Sequence, residues 1–197
     1  RSSHPVPRLN LLQSHAIMFT NRLFTLAACA FGLSLVTSQG AIVWNESTDG
    51  DLSDNPAAPT TLTLITGENS IVGSISGPIV SNVSGYDEAS FTVPQNTQVF
   101  SVTLESYGPD ATNMSLFNLY EGAVGADLGN LLASATLEVA HVGLNLVEAP
   151  TALMPLAEPL GPGVYTIDIR EGGAAQDYEI SVHVIPEPSV PLLVILG

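Results

Sequence analysis

Asp49, Asp51 and Asp54 lie within the six residues Asp-Gly-Asp-Leu-Ser-Asp, a stretch rich in turn-forming types. Carboxylate oxygens crowded at this spacing suit a hard cation, and calcium is the ion such a cluster would take. An EF-hand loop opening at Asp49 would need glycine at its sixth position and glutamate at its twelfth. Those places hold Asp54 and Thr60. A solvated acidic turn is therefore the competing reading, and the sequence by itself requires no cofactor. Asp87-Glu88 is a second candidate for such a site, with the exposed edge of a strand as the competing and favoured reading.

Catalytic constellations are scarce. Two carboxylates facing each other across a cleft could hydrolyse a glycosidic bond, but among 19 acids some pair meets that separation by chance. His141 and His183 are the only histidines after residue 40, and neither has a metal-ligand partner at helical or hairpin spacing. The sequence contains no Gly-x-Ser-x-Gly, no His-Glu-x-x-His, no phosphate loop and no dinucleotide fingerprint. The expectation is a protein that is not an enzyme. Trp44, the single tryptophan, could stack on a sugar or fill a strand position.

The elements that carry these residues have a period of two. Tyr165, Ile167 and Ile169 alternate with Thr166, Asp168 and Arg170, while Tyr178, Ile180, Val182 and Val184 alternate with Glu179, Ser181 and His183. Ala89, Phe91 and Val93 share one face, and Phe100, Val102 and Leu104 are expected to share the next. Further strands are expected at Ala41–Trp44, Thr61–Leu64, Ser70–Ser76, Leu116–Tyr120, Leu131–Ala140 and Val142–Val147. Gly73, inside one of them, marks a bulge or a close approach. Glycine- and proline-rich turns separate the runs, and Glu148–Pro162 is expected to cross between sheets. Nine or so one-sided strands imply an all-β fold: an antiparallel β-sandwich, jelly-roll-like, with its apolar faces in contact.

Composition bounds the partners. All 19 acids follow Gly40, and Arg170 is the only Lys or Arg beyond it, so residues 41–197 carry a formal charge of −18. Such a surface repels nucleic acid and anionic lipid. Cys29 is the sole cysteine, so residues 41–197 can form no disulfide and offer no thiolate ligand. About 145 residues suffice for one domain that buries roughly 70% of its unfolded surface.

The two ends read as targeting signals. From Met18 the chain runs Met-Phe-Thr-Asn-Arg, then 14 uncharged residues from Leu23 to Val36, then Thr-Ser-Gln-Gly. That order predicts an N-terminal signal helix cut by signal peptidase between Gly40 and Ala41. Residues 1–17 are expected to be an upstream segment, 18–40 the leader and 41–185 the sandwich. Residues 186–197 form the tail. There Pro186 and Pro188 hold the backbone extended around Glu187, and the residues after Ser189 are apolar but too few to span a bilayer.

Pro186-Glu187-Pro188 followed by an apolar run resembles the PEP-CTERM sorting signal of Gram-negative bacteria. In that family the run continues as a membrane helix, ends in arginines and is processed by an exosortase. The resemblance implies a transmembrane segment truncated here at Gly197, contact with the inner membrane before processing, and release to the cell surface or extracellular matrix. A structural or adhesive role in biofilm would follow, with calcium or extracellular polysaccharide binding as the alternative. The tail is also called an ice-binding protein C-terminal domain. No flat Thr-x-Thr array recurs here, so that label implies no ice binding. Tyr86–Pro94, Gly163–Ile167 and Asp177–Val182 are similar to strands of the bacterial pre-peptidase C-terminal domain, a small jelly-roll sandwich. Ala89-Ser90 stand where that family has an aromatic residue.

Overall fold

The computed structural model describes residues 40–76, 85–124, 130–149, 151–171 and 173–187. Except for Gly40, the expected signal helix lies outside the described residues, as do Pro188 and the apolar tail. Among the described residues no helix is long and apolar enough to cross a membrane.

Ten strands form two packed sheets. They are β1 (Ala41–Asn45), β2 (Thr60–Leu62), β3 (Gly67–Ile75), β4 (Tyr86–Val93) and β5 (Thr97–Gly108), then β6 (Ser115–Glu121), β7 (Asn130–Leu137), β8 (Ala152–Met154), β9 (Gly163–Glu171) and β10 (Gln176–Pro186). One sheet has the order β1-β3-β10-β5 and the other β2-β4-β9-β6-β7-β8. The all-β sandwich expected from the alternation is present. Its sheets are mixed, however, because β1 pairs parallel to β3 and β2 parallel to β4. All other pairings are antiparallel. Parallel pairing arises at these two edges because each edge strand reaches its partner through a connecting segment, not a tight hairpin.

The core forms where the inner faces meet. Ile71, Ile75, Val102, Leu104, Tyr178, Ile180, Val182 and Val184 project from the four-stranded sheet, and Ala89, Phe91, Val93, Phe117, Leu119, Ala133, Ala135, Leu137, Ile167 and Ile169 from the other; all are buried. Burial of this area is the main favourable term for a chain with no disulfide to restrain it.

Strand β5 departs from strict alternation. Its register with β10 shifts between Ser101 and Val99 and again between Leu104 and Ser106. Each extra residue turns the strand by half a period, so Val99, Val102, Leu104 and Tyr107 all reach the core. Phe100 is therefore 60% exposed instead of sharing the face of Val102 and Leu104, and it meets the His183 ring edge-on at 5.8 Å.

The segment expected as a strand over 142–147 lies along the outer edge of β5 without becoming one. Gly143 N donates to Leu104 O (2.7 Å), Leu146 N to Val102 O (2.7 Å), and the Asn145 side-chain oxygen accepts from Val102 N (3.1 Å). Val99 N then donates to Leu160 O at 2.9 Å, so the same edge is covered twice. A covered edge cannot recruit a foreign strand. Between these two contacts the chain visits the other sheet as β8, paired with β7, so Glu148–Pro162 does cross between sheets.

Gly73 sits on β3 directly beneath the Tyr178 side chain of β10. A Cβ there would collide with the Tyr178 hydroxyl and ring, so the close approach admits only glycine. The space lets the buried hydroxyl reach across the sandwich and donate to Asp87 Oδ2 on β4 at 2.8 Å. Gly73→Ala is expected to displace Tyr178 and lower stability by about 1–3 kcal/mol. Urea unfolding of the two chains checks this, and equal midpoints would remove Gly73 from the argument.

Candidate functional site

The turn after β1 is built by local bonds. Asn45 caps the four-residue helix α1 (Glu46–Asp49) by accepting from Ser47 N at 3.0 Å, and Asp49 Oδ2 accepts from Asn45 N at 2.8 Å. Trp44 Nε1 donates to Gly50 O at 3.0 Å and its ring packs against the core, which makes it a strand anchor and not an open platform. Asp49 is thus spent on the cap. Its neighbour Asp51 points elsewhere.

Asp51 converges with Glu46 and Asp87, and one carboxylate oxygen from each of the three lies within 4.8 Å of the other two. Of the three aspartates singled out in the sequence, only Asp51 belongs to this group. Asp54 lies beside it, exposed, and burial followed by the Asp51 charge raises its carboxyl above the ordinary range. Glu46 is positioned by two backbone donors, Ser74 N at 2.6 Å and Leu52 N at 3.3 Å. Partial burial still raises its carboxyl above the usual carboxylate range. The group borders an open cleft of about 540 Å³ lined by Glu46, Asp51, Gly73, Ser74 and Asp177, among others.

Asp87 and Glu88 are not at an exposed edge. Asp87 is 3% exposed and Glu88 0%, on opposite faces of β4. Burial, and then the Glu46 charge, push the Asp87 carboxyl up to about 8, although the Tyr178 hydroxyl opposes the shift. Tyr178 is itself held protonated well above its ordinary range, first by burial and then by the Asp87 charge. Burial and the Glu46 charge outweigh the Tyr178 hydrogen bond and leave Asp87 largely neutral at physiological pH. Asp87 supplies a buried, proton-bearing oxygen behind two more accessible carboxylates. Three oxygens so placed, with no Lys or Arg side chain among them, can take up a proton or a hard cation.

On the outer face of the larger sheet a second polar system runs across four strands. Arg170 bonds Asp168 Oδ2 through Nη2 (2.6 Å) and Nε (2.7 Å). Asn118 donates to the same oxygen at 3.2 Å and accepts from Ser134 Oγ at 2.9 Å. Arg170 also lies 5.2 Å from the centre of the Tyr86 ring and donates to Tyr120 Oη at 3.3 Å. The Glu88 carboxyl, in register with Asp168, is buried without a hydrogen-bond partner. Burial first, and then Asp168, push it up to about 8. Sequence reasoning named Asp51, Asp87 and Glu88 as candidates but missed Glu46, the Tyr178 bond and the Arg170–Asp168 row. The available signal was acids at consecutive positions of an alternating strand, which places one on each face.

His141 closes on its own neighbourhood, with Nδ1 2.8 Å from Thr136 O and Nε2 3.1 Å from Glu138. Pro186 and Glu187 of the tail motif lie at the end of β10. Pro186 pairs with Thr97, and Glu187 N donates to Asn96 O at 2.9 Å. Gly40 and Ala41, flanking the expected cut, stand at the head of β1. No family model matches the chain, and no curated protein matches it.

The raised carboxyls set the sign of the pH dependence. Asp87 and Glu88 ordinarily titrate near 3.8 and 4.5 and here titrate near 8. Between those values the folded chain holds more protons than the unfolded one, so stability is complete at low pH and is lost as pH rises through about 8. The melting temperature in EDTA is expected to fall from pH 5 to pH 8.5. Asp87→Asn, which keeps an acceptor for Tyr178, should gain about 1–3 kcal/mol at pH 8 and little at pH 4. A melting temperature that is level or climbs over this range contradicts the assignment.

Proposed function

We propose that the chain is an exported, non-catalytic β-sandwich with a structural or adhesive role at the cell surface or in the extracellular matrix. In this reading a cleaved leader and a PEP-type tail, processed by signal peptidase and exosortase, sort it through the inner membrane. The observation that carries the reading is the disposition of charge. The single arginine of residues 41–197 is bound to buried Asp168 at 2.6 Å, so the exterior of this part of the chain is left to its acids. A lysine-free, anionic surface on a cysteine-free core suits a particle that stays soluble outside the cell, with its charges screened by salt. Extracellular polysaccharide bridged by divalent cations is a partner of matching chemistry.

A second reading, a calcium-binding module, is favoured by one observation: the meeting of Glu46, Asp51 and Asp87 at a cleft. Ion binding there would displace the proton on Asp87, and affinity would rise with pH.

Sorting is tested by expressing the full gene in a bacterium with an exosortase and in an isogenic strain without one, followed by fractionation. Loss of residues 1–40 in both strains and surface release only in the first are expected. An intact leader in the cytoplasm overturns the proposal. For the second reading, calcium at about 100 times its dissociation constant should add about 2.7 kcal/mol. The melting temperature should then rise by roughly 5–10 °C. Glu46→Gln and Asp51→Asn should each abolish the shift, and no shift in the parent chain ends the calcium reading.

A further inference from the structure

The expected cut between Gly40 and Ala41 falls at the first residue of β1, an edge strand. β1 runs parallel to β3 with Ala41 opposite Asn69, so its head lies beside Glu68. Gly40 is seated on Glu68, and a Cβ at residue 40 would come within 2.9 Å of the Glu68 Cβ. Gly40 and Ile42 line one groove of about 510 Å³ together with Glu68, Ser70, Glu105, Glu179 and Ser181. Ile42 is 62% exposed in it.

The groove collects three carboxylates from three strands and no cation. Glu68 comes from β3, Glu179 from β10 and Glu105 from the bulge of β5, while His183 of β10 is in register with Glu68. The mutual repulsion is registered at Glu105, which is raised by burial and then by Glu179 and Glu68. Arg170 cannot relieve it, being bound to Asp168 in the other sheet. The sequence has no lysine. Hydrolysis of the Gly40–Ala41 amide adds water across the C–N bond. It leaves a carboxylate on the departing Gly40 and an amine on Ala41, which takes up a proton at neutral pH.

We propose that this new α-ammonium is the ligand of the groove: held by Glu68, with Glu179 and Glu105 behind it, it fastens β1 to the sheet once Gly40 has left. The inference rests on the export reading for the cut itself. Processing then completes the fold, since the edge strand gains an ion pair that the uncut chain lacks. A glycine before the cut satisfies the protease and the packing at Glu68 alike.

The absence of lysine makes the test clean, because the α-amine is the only primary amine of the processed chain. The full gene is expressed in an exporting bacterium, the released protein is purified, and its first residue is read by mass spectrometry. Reductive methylation with ¹³C-formaldehyde then places one NMR label on that amine for titration. In the parent the midpoint is expected at least about half a pH unit above the ordinary α-amino value of about 7.7–8.0. Glu68→Gln should return it to that value, and a His183→Asn sample, free of the neighbouring imidazole, should keep the displacement. Circular dichroism confirms that each variant is folded, with Glu179→Gln replacing Glu68→Gln if the latter does not fold. A start at Ala41 with an ordinary midpoint that neither glutamate variant moves overturns the inference and leaves the export reading intact. A start elsewhere overturns both.

Discussion

The hydrogen bond from Tyr178 to Asp87 is the constraint around which the sandwich is arranged. A carboxyl that deep cannot remain charged without a cation beside it, and none is supplied. Burial instead keeps the acid protonated, and a hydroxyl from the opposite sheet gives one of its oxygens a hydrogen-bond partner. That solution requires a bare backbone at Gly73, a tyrosine on the inner face of β10, and β4 held so that Asp87 faces inward. The same bond sets the chemistry of the cleft. Glu46 and Asp51 lie close to an acid that holds its proton until pH rises to about 8.

Charge is handled differently on the outer face of the larger sheet. There the one arginine of residues 41–197 is sunk into a polar row with Asp168, Asn118 and Ser134, and its guanidinium lies over the Tyr86 ring. Committing the only Lys or Arg of residues 41–197 to an internal pair leaves the outward acids there without a Lys or Arg partner from this segment. Glu68, Glu105 and Glu179 gather on the smaller sheet with that consequence visible in their mutual repulsion. Among the described residues this arrangement leaves protonation to neutralise the buried acids Asp87 and Glu88.

Without a disulfide, the sandwich must also keep its edges closed by backbone alone. Residues 143–146 and Leu160 occupy the free side of β5, and the two bulges in that strand keep Val99, Val102, Leu104 and Tyr107 inward despite its twelve-residue length. The bulges have a functional by-product. Phe100 is turned out against His183, and Glu105 is brought into the acidic groove.

The sequence by itself determined the all-β class, and the missing thiol and one-sided charge of residues 41–197. These follow from composition and from a period of two that any reader of side-chain polarity can count. It also marked Gly73 as a place of close approach. Only the tertiary structure decided that Asp87 and Glu88 are buried, that Asp49 serves a cap while Asp51 meets Glu46 and Asp87, and that Phe100 leaves the face of Val102. Alternation says which residues share a side of one strand, but not which side is covered or which strand lies opposite. A carboxylate trio whose third member, Asp87, lies about forty positions beyond Glu46 and Asp51, and a bulge that shifts the phase by one, are set by strand pairing across the sheets. Pairing of that range leaves no trace in local spacing.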